Sequence, residues 1–220
     1  MALDFMYIGA SRAGSTYLSE ILRNHPDVAF PLGKPVRFWN RYIDGGKAIG
    51  KSAYKIMPVK QYKQAMEKYP DKLKGDITDG YTQIPQERIQ YIHILYPNVK
   101  VLYCIRNPFN TILSHYGLKG KIDGDVIDLA TLRNKLYSED SYWANNIDFA
   151  GNIRRWKDVF GKNLLVYKFE DLVNDPKTQL TKICDHIGAD SRKIDNIQSD
   201  LLQQKRNSRR VEYAFTPEAR

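Results

Sequence analysis

Residues 9 to 16 read Gly9-Ala10-Ser11-Arg12-Ala13-Gly14-Ser15-Thr16, the glycine and hydroxyl spacing of a phosphate-binding loop. The lysine that grips phosphate in such loops is missing. Ser15 stands in its place, and the nearest cation, Arg12, lies three residues earlier. Glycines let the backbone approach an anion, and the helix that follows points unsatisfied N–H groups at it. Ser11, Ser15 and Thr16 add hydroxyl donors. Taken alone, the stretch also suits an ordinary strand-to-helix connector.

A second group of residues follows the apolar run "VLYCI". Arg106 ends that run, Pro108 opens a helix, and Ser114 comes eight residues after the arginine, about two helical turns on. An arginine fork and a hydroxyl together can grip one phosphate. The bland alternative is an arginine paired to a neighbouring loop and an unremarked helical serine. The two cysteines, Cys104 and Cys184, make neither a disulfide framework nor a metal site, and Cys104 reads as a small core residue.

The elements that must hold these groups alternate along the chain. "LDFMYI" reads as a buried strand, followed by the glycine loop and a helix with Leu18, Ile21 and Leu22 on one face. "HPDVAF" gives a short strand, residues 59–69 a lysine-rich helix, and "KLKGDIT" a third strand. Pro85 opens a helix carrying Ile89, Ile92 and Leu95. After "KVLYCI" and its helix, residues 117–141 read as irregular, the expected lid or insertion. A long helix then aligns Phe149, Ile153, Trp156 and Phe160, "NLLVYKF" is another strand, and Pro176 opens a helix with Leu180, Ile183 and Ile187. A last helix carries Ile194, Ile197 and Leu201. Such alternation implies an α/β fold, a central parallel sheet flanked by helices in a P-loop-like three-layer arrangement. Ligands in such folds bind beyond the carboxyl ends of the strands, where both candidate loops fall.

The 220 residues, 42% of them hydrophobic, suit a single domain, 1–220. No apolar run is long enough to span a membrane, and the N-terminus lacks the basic and cleavage-type stretches of a signal peptide; a cytoplasmic location is expected. The net charge of +9 suggests an anionic partner. Much of it is spread over solvated helix faces such as "VKQYKQAMEKYPDKLKG". The local exception is "KRNSRR" at 205–210, within a basic C-terminal segment 205–220.

Together the two loops resemble those of the sulfotransferases that use 3′-phosphoadenosine 5′-phosphosulfate (PAPS), in particular the heparan-sulfate-type and bacterial members. The family's first motif, K-x-G-[ST]-T or a close variant, corresponds to Arg12-Ala13-Gly14-Ser15-Thr16, and by resemblance holds the 5′-phosphosulfate. The second, R-[ND]-P with a serine eight residues after the arginine, corresponds to Arg106 and Ser114 and holds the 3′-phosphate. "HPDV" and "WKDVFGKNLLVYKFEDLVNDPKTQLTKICDHIG" extend the likeness, from about residue 3 to residue 190.

The resemblance implies transfer of a sulfo group from PAPS to a hydroxyl or amine of a small-molecule or glycan acceptor, leaving adenosine 3′,5′-bisphosphate (PAP), with no metal and no nucleic-acid partner. Arg12 takes the place of the family's catalytic lysine, with an electrostatic role. The family's catalytic glutamate, in an E-x-H-F-F-like segment, is replaced: Lys34-Pro35-Val36-Arg37-Phe38-Trp39 puts Pro35 there. "GDITDGY" then supplies the candidate bases, Asp76 and Asp79; loop capping is the plainer role for either. His25, His93, His115 and His186 are not placed for the task. Arg206, Arg209 or Arg210 would return to the 3′-phosphate, or form a solvated tail. Phe38, Trp39, Tyr42, Tyr54 and Tyr81 would suit a sugar, aromatic or lipid-like acceptor. Rival readings are a P-loop nucleotide or nucleoside kinase, a nucleic-acid-binding protein, and a PAPS-binding protein without turnover. The first is opposed by the missing lysine and by a strand ending in Arg106 rather than an acid; the second by the lack of an aromatic-basic surface motif.

Overall fold

A computed structural model describes residues 3–40, 58–123, 134 and 142–196. Five parallel strands form one sheet: β1 (Phe5–Gly9), β2 (Val28–Ala29), β3 (Leu73–Ile77), β4 (Lys100–Ile105) and β5 (Leu164–Lys168), in the order β2-β3-β1-β4-β5. β1 is central, and all five of its residues are buried, as expected of a parallel strand covered on both faces. The chain goes to one side of β1 for β2 and β3 and to the other for β4 and β5. The order therefore reverses at β1, the switch point beyond whose carboxyl end open α/β sheets bind their ligands.

The helices are α1 (Ser15–Arg23), α2 (Val59–Met66), α3 (Gln86–Leu95), α4 (Pro108–Asp123), α5 (Tyr142–Ile147), α6 (Phe149–Phe160), α7 (Phe169–Asn174) and α8 (Pro176–Ile187). α1 lays Leu18, Ile21 and Leu22 into the core, each worth about 1.5–3 kcal/mol when fully buried. The stripe of α6 does the same with Trp156 and Phe160, while Phe149 and Ile153 pack at its edge. Cys104 and Cys184 are free, buried thiols.

Two expectations need correction, and one element was missed. The segment 117–141 was expected to be irregular, yet its first part, through Asp123, continues α4; residues 124–133 and 135–141 lie outside the described residues. Gly117 and Gly120 cost a helix only about 1 kcal/mol each, which the rest of the helix absorbs. Ile194 lies in a 3₁₀ turn (Ser191–Asn196) rather than an α-helix, and the other residues of that stripe, Ile197 and Leu201, lie outside the described residues. α7 was not foreseen, because "FEDLVN" is too short to show a helical period.

The expected acceptor aromatics are also displaced. Phe38, Trp39 and Tyr81 are buried in an aromatic cluster with Tyr62, where the Phe38 and Tyr62 rings stack at 4.4 Å. They belong to the core and do not line a cleft. Tyr42 and Tyr54 lie outside the described residues.

Candidate active site

The loop after β1 begins at Gly9, whose φ of 146° favours glycine. A Cβ there would lie 2.6 Å from the Thr82 methyl and 2.9 Å from the Asp79 carbonyl oxygen. The loop ends at Gly14 (φ 80°), where a Cβ would strike the Phe169 ring at 2.7 Å. Between them, the Ala10 N–H donates to the Cys104 carbonyl at 2.7 Å, tying the loop to β4.

The loop opens directly onto α1. No side chain caps that helix, and no acidic residue occupies its first turn. Asp148 and Asp175, in contrast, cap α6 and α8 with their carboxylates. The N-terminal N–H groups and the positive end of the α1 dipole thus meet the crevice without a built-in anion. The Ser11 and Ser15 side chains are buried beside it, and Thr16 is exposed.

Arg12 adopts the left-handed conformation (φ 65°), which a non-glycine residue enters at a cost of order 1 kcal/mol. Two contacts hold it there. The Arg106 guanidinium donates through Nη1 to the Arg12 carbonyl at 2.7 Å, and the Arg12 Nε donates to the Ser114 Oγ at 3.1 Å. Three residues singled out in the two loops therefore meet: Arg12, Arg106 and Ser114 share one chain of contacts beside the Gly14 turn.

α7 braces this arrangement. Arg106 lies 4.6 Å over the Phe169 ring, the same ring that excludes a side chain at Gly14. The Asn107 N–H donates to Glu170 Oε1 at 3.0 Å, while Asn107 Oδ1 accepts from the Asn110 N–H at 3.1 Å and caps α4.

On the other side, α5 clamps the loop. Asn146, fully buried, accepts from the Ser11 N–H at 3.0 Å and donates to the Ser11 carbonyl at 3.5 Å. Tyr142 and Ser11 share a hydroxyl hydrogen bond of 2.8 Å. Neither residue was foreseen; both sit in a polar helix with no motif to mark it.

Lys34 is the other residue missed. Its Nζ donates to Ser15 Oγ and Thr16 Oγ1, both at 3.3 Å. A lysine next to the proline in the glutamate's place was visible, but spacing along the chain does not show that it folds back onto α1. Burial holds its ammonium down to about 8, against the pull of Asp79 and Glu20 and with some help from Arg23.

The two candidate bases part company. Asp76 is fully buried, and its carboxylate accepts hydroxyl hydrogen bonds from Tyr62 (2.9 Å), Tyr81 (2.8 Å) and Thr78 (3.0 Å). It is walled off from a substrate proton, and it ties β3 to the aromatic cluster instead. Asp79, just past the end of β3, is partly exposed; its carbonyl accepts from Ser11 Oγ at 3.4 Å, and its charge reaches Lys34 and Tyr142. Arg206, Arg209 and Arg210 lie outside the described residues.

Burial pushes the Asp76 carboxyl up to about 6 from 3.8, despite its hydroxyl donors. The folded state thus holds this proton more tightly than the unfolded chain. Its contribution favours folding fully below pH about 4 and is lost as pH rises through about 6. The melting temperature of the wild type minus that of Asp76→Asn should therefore be most positive near pH 4 and shrink toward neutrality. Thermal melts across this range check the sign. A difference that grows with pH would mean that the hydroxyl contacts outweigh the burial.

A parallel sheet reversing at β1, a glycine loop leading into an uncapped helix, and cations converging from two strand ends define a P-loop-like α/β fold. The model of the sulfotransferase family matches residues 5–193. The chain belongs to that family. It is 29% identical over 191 residues to mouse heparan sulfate glucosamine 3-O-sulfotransferase 6, an alignment covering 83% of this chain and 51% of that protein. The Dictyostelium discoideum membrane-associated sulfotransferase kil1 is 26% identical over 117 residues, 51% of this chain and 22% of the relative. The chain spans about half the length of the heparan sulfate relatives it matches.

Among solved structures, the Alicyclobacillus acidocaldarius sulfotransferase superposes with a TM-score of 0.72 at 22% identity, over 87% of this chain and 83% of that one. Mouse sulfotransferase SULT7A1, solved complexed with PAP, gives 0.56 at 17% identity, over 91% and 64%. Both likenesses support the P-loop-like α/β fold expected from the alternation of elements.

Proposed function

We propose that the protein transfers a sulfo group from PAPS to a hydroxyl or amine on a small-molecule or glycan acceptor. The observation that carries this is the Arg12–Ser114 contact, which joins a loop suited to phosphosulfate to a helix suited to the 3′-phosphate. The residues fit such a donor: the end of α1 has no capping carboxylate, the Gly14 turn is packed close against Phe169, and Arg106 follows β4 directly. PAPS supplies the activated sulfo group. The chain's part is to bind it through the α1 N–H groups and the Ser15 and Thr16 hydroxyls. Arg12 and its neighbours stabilise charge that develops on the leaving phosphate. A glycan acceptor is favoured by relatives whose names specify heparan sulfate glucosamine.

Calorimetric titration tests the reading. PAP should bind without magnesium, and in preference to ATP with magnesium; the reverse order would favour a kinase. Transfer of radiolabelled sulfate from PAPS to heparan sulfate, a simple amino sugar or a phenol then separates an enzyme from a binding protein. Arg106→Ala should weaken PAP by roughly 1.5–3 kcal/mol, the range for hydrogen bonds to charged groups. Adenosine 5′-phosphate, which lacks the 3′-phosphate, measures the part of that loss transmitted through the Arg12 carbonyl, and should lose less. Equal losses would make Arg106 a buttress of the loop and not a reader of the 3′-phosphate.

A further inference from the structure

Lys34 occupies a position that its own electrostatics disfavour. Its ammonium sits on the first turn of α1, held by two neutral hydroxyls at the positive end of a helix dipole. Among the described residues no carboxylate lies within ion-pairing distance of it; Asp79 and Glu20 act only from farther away, and Arg23 opposes it. Flexibility would let the side chain escape, but its backbone is fixed. The Gly33 N–H closes a turn on the Phe30 carbonyl at 3.1 Å, the Arg37 N–H donates to Thr78 Oγ1 at 3.1 Å, and Asn40 donates to the Gly80 carbonyl at 2.8 Å. The segment is thus pinned along the end of β3 with Lys34 directed at α1.

A cation held among donors and a helix N-terminus makes sense when an anion completes the group. We propose that Lys34 is the second cation of the phosphosulfate cradle, contacting the leaving phosphate from the loop after β2 and filling the role left open by Ser15. This rests on the PAPS reading above. It also explains a division of labour. Arg12 is fixed by Ser114 and stays charged at any working pH. Lys34, held down to about 8 by burial, is charged only below that range in the free enzyme.

The test uses Lys34→Met and Lys34→Arg in the full chain, with PAP binding by calorimetry and PAP release from PAPS as the rate, water or heparan sulfate serving as acceptor. Lys34→Met should lower kcat by about two orders of magnitude, in the range for a lost charge-stabilising donor, and leave the melting temperature unchanged or raised. The wild-type kcat/KM for PAPS should fall as pH rises through about 8, because that parameter reports the free enzyme. In kcat the fall should move to higher pH, since the bound anion holds the proton. Lys34→Arg should keep much of the rate and lose the alkaline fall. A Lys34→Met enzyme with wild-type kcat, or a Lys34→Arg enzyme with the same alkaline fall, overturns the assignment. If Lys34→Met melts early, the Lys34→Arg pH profile decides alone. Failure of the wild type to bind PAP would instead overturn the PAPS reading itself, whatever the variants do.

Discussion

Replacing Arg12 with alanine is expected to cut kcat at saturating PAPS by two to three orders of magnitude, about 3–4 kcal/mol of transition-state stabilisation. The expectation has two sources. The guanidinium is the loop's own cation, and charge grows on the phosphate oxygen as the sulfo group departs. Its geometry is also set in advance: the backbone is held in the left-handed region, the carbonyl is gripped by Arg106, and Nε is engaged by Ser114. Little reorganisation remains to be done during the reaction. Arg12→Lys keeps the charge but cannot reproduce the planar fork, so it should retain much of kcat while binding PAP more weakly through the loosened tie to Ser114. Steady-state kinetics and calorimetry on the two variants separate charge from geometry. Normal sulfate transfer by Arg12→Ala would remove this loop from the chemistry.

The parts of the fold that were legible in the sequence were those governed by local pattern. Apolar runs such as "KVLYCI" became strands with the expected bounds, and Pro108 and Pro176 opened helices because a missing N–H costs nothing there. The pairing of Arg12 and Ser114 was reachable only through the resemblance, since no spacing rule connects residues so far apart in the chain. The parts played by Lys34, Tyr142 and Asn146 were not foreseen. Each reaches the loop from a separate segment, and its role exists only once the chain folds back. The buried aromatics show the opposite error: Phe38, Trp39 and Tyr81 looked like a cleft because sequence does not reveal that Asp76 gathers Tyr62 and Tyr81 beneath it.

Asp76 and Asp79 looked interchangeable for the same reason, and their separation leads to the second large effect. On the PAPS reading, an acceptor hydroxyl must lose its proton as the sulfur–oxygen bond forms, and by resemblance Pro35 stands where the family's glutamate would be. Asp79 is the carboxylate left at the crevice: it is partly exposed, its backbone is tied to Ser11, and its charge reaches Lys34. Asp79→Asn should therefore reduce turnover of a sugar hydroxyl by roughly 10²–10⁴-fold, the usual cost of losing a general base, with PAP binding preserved. A merely electrostatic role makes a different pattern. Removing the Asp79 charge would then act through Lys34, lowering its pKa further and bringing the alkaline fall in kcat/KM to lower pH, equally for every acceptor. The discriminating measurement is the acceptor series. If Asp79 takes the proton, the defect should shrink as the acceptor becomes more acidic, because a phenol that ionises easily needs little help. A loss of the same size for a sugar hydroxyl and an acidic phenol would assign Asp79 to holding Lys34 charged, and the proton would have to leave through water.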